Sequence, residues 1–315
     1  MRIFYYHNVG SSVDHFKSWI DSTLGPSDVL FLQTHPIQIQ DLIEFKPDII
    51  IANGTIPLNI EQMFYYKSFF PETKTIILCH VWEDLLNGFQ EAAKQADSII
   101  LLNCKPDWVK YKEIEEKVLN RYPPVDDGVY KITTTWWDRP NLFGYFGNIH
   151  PLKFSHEFIK NNRIVEMDLY GCREFKKQDM SYPVFNRDLN SNKFLIYKGI
   201  VDQSKMPDLL NSYKFFILPH SGNEPFNIEL LQAIKCGTIP ITVRKGTWLH
   251  WAKDMHLGLG DENRLLQKMI EIKGGFPDLT PYSETISAMA KEKFGFESLK
   301  KEFINIIYET KTFYN

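Results

Sequence analysis

The feature that most constrains this chain is a rhythm. Short apolar runs, each ended by a polar residue or a glycine, alternate with helical patterns almost from end to end. RIFYYH, DVLFLQ, DIIIAN, KTIILCH and SIILLN read as strands, rich in β-branched or aromatic residues and poor in charge. Between them IQIQDLIEF, IEQMFYYKSFF and EDLLNGFQEAAKQ carry the spacing of helices. A strand that is apolar along its whole length must be covered on both faces, and a helix is the usual connection between parallel neighbours. The rhythm therefore predicts a parallel sheet wound on both sides over residues 1 to about 125.

YPPVDDGVYKITTTWWDRPN then interrupts the pattern with Pro, Gly, Asp and Thr, and reads as a connection between domains. The alternation resumes with LFGYFGN, EMDLYGC, FLIYKGI, KFFILPH and IPITV as strands. KMPDLLNSY and NIELLQAIKC are helices between them, and ENRLLQKMIEIK, YSETISAMAKEKF and FESLKKEFINIIYETK follow as helices. The expected division is an N-terminal unit over 1–135, a C-terminal unit over 136–300, and a final helix and tail over 301–315 that packs back on the first unit. A length of 315 residues suits two such cores.

Composition excludes several classes. At 43% hydrophobic and 24% charged residues the chain is globular rather than disordered or fibrous. No run approaches 18 apolar residues, and polar His7 and Asn8 interrupt the start, so neither a membrane span nor an ordinary signal peptide is expected. The expected location is the cytoplasm. Cys79, Cys104, Cys172 and Cys236 are scattered, with no C-x-x-C pair, and read as buried thiols of a reducing compartment. Residues 1–140 hold 13 basic and 19 acidic side chains, a balance of −6, whereas the remainder carries +3. The first half is thus a poor platform for polyanions, and the second is the better place for a phosphate ligand.

Wound parallel sheets bind ligands where their strands end, and the chemically informative residues fall there. HSGNEPFNIELLQAI follows an apolar strand and enters a helix near Phe226 or Asn227, whose first N–H groups would form an anion site. Glu224 stands just before that helix, where it can accept hydrogen bonds from sugar hydroxyls or simply complement the helix end. Gln232 lies two turns in, on the same face as Glu229. In LFGYFGNIHPLKFSHEFI, Gly147 at a strand end permits close approach of a ligand, and Lys153 at the start of the next helix offers a positive charge. His80 ends TIILCH, in reach of a substrate hydroxyl or of a structural partner. Trp136, Trp137 and Trp248 read as core packing first and sugar-stacking surfaces second. Neither phosphate-loop fingerprint occurs, and no set of side chains reads as a metal site.

Taken in order, these stretches resemble the nucleotide-sugar-dependent glycosyltransferases of the GT-B fold, above all the retaining glycosyltransferase family four. KPDIIIANG, TIILCH, QADSIILLN, RYPPVDDGVY, YFGNIHPLK and DLYGCREFK are similar to successive segments of that family. The match is most specific over YKGIVDQSKMPDLLNSYKFFILPHSGNEPFNIELLQAIKCGTIPI. The resemblance implies two Rossmann-like domains and transfer of a sugar to a hydroxyl acceptor with retention, without a metal or other cofactor. The co-substrate it implies is a nucleotide diphosphate-sugar, a UDP-sugar being the expected donor. Glu224 would be the first Glu of the family's E-x7-E motif, contacting the donor sugar, and His80 the active-site histidine. Gln232 stands where the second Glu contacts the ribose. Lys153 would bind the diphosphate, and Asn148 holds a place usually given to Arg. Gly10 lies in the loop over the donor, and Gly147, Gly171, Val201, Pro225, Phe226, Asn227 and Ile228 complete the donor-binding positions. Gln232 and Asn148 depart from the family pattern: one loses a charge while keeping an acceptor, the other removes a cation.

Two rival readings remain at this stage. One is a phage- or virus-type transferase acting on a modified DNA base, which the acidic first half disfavours. The other is a non-catalytic nucleotide-sugar-binding protein, suggested by Gln232 and Asn148. Peripheral membrane association stays open because relatives act on lipid-linked acceptors, although no basic amphipathic helix supports it. The sequence names neither the acceptor nor the oligomeric state.

Overall fold

A computed structural model describes residues 1–7, 29–33, 39–53, 57–79, 94–101, 117–120, 125–151, 153–173, 182–220, 227–243 and 251–312. The chain divides into two units, Met1–Pro124 with Phe296–Asn315, and Val125–Gly295.

In the first unit the apolar runs become strands β1 (Ile3–His7), β2 (Val29–Gln33), β3 (Ile49–Asn53), β4 (Lys74–Cys79), β5 (Ser98–Leu101) and β6 (Val118–Asn120). They form one parallel sheet in the order β2-β1-β3-β4-β5-β6. Consecutive residues of the central strands are fully buried: Ile49 and Ile50, Ile76 and Ile77, Ile99 and Ile100 each expose 0%. Both faces are therefore covered, which is what an unbroken apolar strand demands. Helices α1 (Ile39–Phe45) and α2 (Pro57–Phe69) lie between strands in the chain, and Tyr66 of α2 packs edge-on against Phe4 of β1. The helical segment expected at EDLLNGFQEAAKQ lies mostly outside the described residues.

The second unit repeats the construction with β7 (Asn141–Phe146), β8 (Met167–Tyr170), β9 (Leu195–Gly199), β10 (Tyr213–Leu218), β11 (Ile239–Val243) and β12 (Leu257–Leu259). Its order is β12-β11-β10-β7-β8-β9, again all parallel. Every residue of β10 and β11 is buried. The helices are α3 (His156–Asn161), α4 (Tyr182–Ser191), α5 (Met206–Asn211), α6 (Ile228–Lys235), α7 (Glu262–Gly274) and α8 (Thr280–Lys293), and α9 (Phe296–Thr312) returns to the first unit. No helix among the described residues is long and apolar enough to cross a membrane.

The segment leading into β7 is more than a connection. Trp136, 1% exposed, packs edge-on against Phe215 and Phe276 and donates its indole N–H to the Lys214 carbonyl at 2.8 Å. Arg139 is also buried, donating to the carbonyls of Tyr213 and Cys236 and to Thr238 Oγ1. Of the tryptophans considered for stacking, Trp136 is core, Trp137 is half-exposed and Trp248 lies outside the described residues. The thiols also differ from one another. Burial pushes the pKa of Cys236 up to about 12, so it is inert packing, whereas Cys172 is only half-buried.

Candidate functional site

In a parallel sheet the crevice that accepts a ligand opens where the strand order reverses, because connections leave neighbouring strands in opposite directions there. In the second unit that point is between β7 and β10. The loops that leave these two strands carry most of the residues singled out from sequence.

After β7 the chain turns through Gly147, with φ +141°, a backbone conformation that side-chain-bearing residues rarely adopt. Gly171, after β8, has the same φ and lies against it. A Cβ on Gly171 would stand 1.8 Å from the Gly147 carbonyl oxygen. The main chain joins these loops in series. Gly147 N–H donates to the Tyr170 carbonyl at 3.0 Å, Ile149 N–H to the Cys172 carbonyl at 2.8 Å, and Gly171 N–H to the Gly199 carbonyl at 2.9 Å. Tyr197 adds its hydroxyl to the Gly171 carbonyl at 3.0 Å. Gly171 must lack a side chain for the neighbouring backbones to touch, whereas Gly147 is required by its φ. Val201, half-buried, follows Gly199 in the third of these loops.

Asn148 is exposed, and its carbonyl accepts from the Tyr145 hydroxyl at 2.8 Å, which fixes the backbone that carries it. The His150 carbonyl accepts from the N–H groups of both Lys153 and Phe154, closing a turn. Helix α3 begins only at His156, because Ser155 caps it by accepting from Phe158 N–H. Lys153 therefore stands in the turn ahead of the helix, which corrects the sequence-based expectation that it opens it. Ser155 N–H donates to the Pro219 carbonyl at 2.7 Å, tying the loop after β7 to the end of β10.

On the β10 side, α6 starts at Ile228 with Asn227 as its cap, close to where the sequence put it. Asn227 Oδ1 accepts from Leu230 N–H at 2.7 Å. Helix α6 therefore carries the positive end of its dipole just after β10. Gln232 sits in the second turn, 2% exposed, and its side-chain amide makes no hydrogen bond with the described residues. His220, 1% exposed and the second residue after β10, was not singled out from sequence. Its place two residues beyond the end of an apolar strand was the available signal.

Gly10, His80, Glu224, Pro225 and Phe226 lie outside the described residues. The structure thus brings Gly147, Asn148, Lys153, Gly171, Val201, Asn227, Ile228 and Gln232 to the carboxyl edge of one sheet or the helix behind it. Among the described residues no group of three or more His, Cys, Asp or Glu could hold a metal ion.

Known proteins can now be set beside this geometry. The UDP and glucose complex of Alr3699/HepE from Anabaena superposes over 98% of this chain and 100% of its own, with a TM-score of 0.72 and 13% identity. A glycosyltransferase from Rickettsia africae covers 99% of each chain, with a TM-score of 0.69 and 12% identity. The chain has the GT-B fold. Sucrose-phosphate synthase from Thermosynechococcus elongatus shares that fold with a TM-score of 0.68 over 98% of this chain and 99% of its own, at 10% identity. No family model matches the sequence. A putative type I restriction enzyme MpnIIP endonuclease subunit (N-terminal part) from Mycoplasma pneumoniae is 28% identical over 135 residues, 39% of this chain. The chain spans only 35% of that relative, and so short a match assigns no family.

Proposed function

We propose that this chain is a glycosyltransferase that moves a sugar from a nucleoside diphosphate-sugar, a UDP-sugar in the first instance, to a hydroxyl acceptor with retention of configuration. One observation carries the reading. The reversal point of the second sheet combines two touching glycine loops, the Lys153 turn and the capped amino end of α6. A diphosphate is the ligand that such a crevice suits, since backbone amides, a helix dipole and a lysine all favour an anion. GT-B neighbours solved with UDP, UDP and glucose, or UDP-glucose support the same choice.

In this reading the helix amides and Lys153 stabilise the charge that grows on the departing diphosphate, without a metal ion. Gln232 receives the ribose through its amide. Glu224 orients the donor sugar, and His80 serves as the active-site histidine. The acceptor hydroxyl oxygen bonds to the anomeric carbon, the sugar–phosphate bond breaks with its electron pair going to the diphosphate, and the hydroxyl proton passes to the departing phosphate oxygen.

Calorimetric titration with UDP tests the anion site. Lys153→Ala is expected to weaken UDP by roughly ten- to a hundredfold, the value of a charge-assisted contact to a desolvated phosphate. Asn148→Arg should recover part of that loss, and Gln232→Glu should leave the diphosphate contribution unchanged. Unaltered UDP affinity in Lys153→Ala would place the donor elsewhere. Glu224→Ala, folded but without turnover on a panel of UDP-, GDP- and ADP-sugars, would support the sugar-orienting role; normal turnover would remove it.

A further inference from the structure

Helix α6 carries the candidate donor site at one end and a buried charge at the other. Lys235, its last residue, exposes 0%. The ammonium donates to the Val125 carbonyl at 2.7 Å and the Phe294 carbonyl at 2.8 Å, and pairs with Asp127 Oδ1 at 2.6 Å. Val125 is the first residue of the second unit, and Phe294 precedes its last, Gly295. The covalent chain passes between the units only at these two points. A single side chain therefore holds both.

Nothing about helix stability asks for this. A lysine at a helix carboxyl end ordinarily reaches solvent, and burying its charge costs several kcal/mol before partners offset it. Burial indeed lowers the Lys235 pKa, and Asp127 opposes the shift. An apolar residue would fill the same space without that cost, so the charge is spent on position.

The surrounding bonds continue the tie. Ser287 and Ser283 of α8 donate to the carbonyls of Lys235 and Gly237, and α8 runs directly into the second crossing. After the first crossing, Ile132 lies against Gly237, and Asn211 binds the Lys131 carbonyl and the Thr133 N–H. Both crossings are thus fastened to the carboxyl end of the helix whose amino end faces the crevice.

We propose that Lys235 is a positioning residue that couples the head of α6 to the two chain crossings, so that a ligand seated there stiffens both connections to the first unit. The identity of that ligand rests on the nucleotide-sugar reading; the clamp itself does not. Coupling of this kind is reciprocal, and it appears as linked local openings.

Hydrogen exchange of the full chain, with and without saturating UDP, tests the proposal. In Lys235→Met, amides of residues 127–130 and 294–297 should exchange at least about tenfold faster, whereas those of 215–218 in β10 change less than about twofold. UDP should slow exchange at the crossings of the wild-type chain. In the variant it should still protect α6 but no longer reach the crossings. Asp127→Asn should act in the same direction by about threefold, and serves as the test where Lys235→Met does not fold. Unchanged crossings, an equal loosening of β10, or UDP protection of the crossings in both proteins would each overturn the clamp. UDP that protects nothing in the wild-type chain would sink the nucleotide reading, and the ligand-free comparison would then decide the clamp alone.

Discussion

The two sheets are built from the same parts and differ in where their order turns. In the first, one strand, β2, lies beyond the reversal between β1 and β3; in the second, two strands, β8 and β9, lie beyond the reversal between β7 and β10. The longer arm gives the second unit three adjacent loops that can be joined in series through Gly147, Gly171 and Gly199. Both units fix carbonyls with cations, Lys117 donating to the carbonyls of Lys94 and Ala96 in the first, but two of their anchors differ in charge. In the first, the Asp97 carboxylate accepts from Thr75 N–H at 2.8 Å, from Thr75 Oγ1 at 2.9 Å and from Lys67 Nζ at 3.2 Å. In the second, Arg139, Lys214 and Lys235 donate to backbone carbonyls. A carboxylate anchor is neutralised once pH falls below the ordinary carboxylate range, whereas cations on carbonyls keep their charge there. The comparison teaches that similar folds can fail under different conditions.

The largest effect should come from the loop junction. Gly171→Ala places a methyl group inside the Gly147 carbonyl and keeps an unfavourable φ, so a loss of at least about 3 kcal/mol is expected. Gly199→Ala is the control, since φ is +99° but nothing lies within 4 Å, and about 1–2 kcal/mol should be lost. Urea unfolding of the two variants makes the measurement. Equal losses would show that backbone conformation alone, and not contact between loops, sets the requirement for glycine.

Next in size is the cation anchor. Arg139→Met strands the carbonyls of Tyr213 and Cys236 and should cost about 2–4 kcal/mol. Burial lowers the Arg139 pKa to about 10, with Cys236 opposing, so the wild-type contribution should stay flat between pH 5 and 8 on the scale of ordinary titrations. A variant that unfolds at the wild-type urea midpoint would remove the anchor from the account.

The smallest effect carries a pH signature. Burial raises the Asp97 pKa, but the hydrogen bonds from Thr75 and the charge of Lys67 outweigh it and hold the carboxyl below its ordinary value of 3.8. A depressed carboxylate contributes stability that is present above its unfolded pKa and is lost as pH falls from 3.8 through the folded value. Asp97→Asn should cost about 1–2 kcal/mol at neutral pH and flatten the acid limb of the stability profile. An acid limb that survives in the variant would move the sensitivity to another carboxylate.

Much of this molecule was written locally. The ten apolar runs are strands because each is short, mostly apolar and ends at a polar or glycine residue, although β8 carries Asp168 and β9 carries Lys198. The start of α6 was legible because Asn227 is a good cap before an amphipathic run. Other elements were not. β6 and β12 have three residues each, too few for a pattern. The position of Lys153 depended on a cap at Ser155 that competes with an earlier start. Trp136 reads as core packing from sequence, but its partners Phe215 and Phe276 are distant in the chain and were not legible.

By itself, then, the sequence determined element type, parallel pairing and the side of each sheet on which polar residues gather, since these follow from periodicity and from what a backbone must bury. The tertiary structure alone decided that Gly171 touches Gly147, that Gln232 is buried without a described partner, and that Lys235 meets both chain crossings. Lys235 Nζ bonds a residue 110 positions before it and another 59 positions after it. Contacts of that range depend on how whole elements are placed, and no local pattern of residues encodes them.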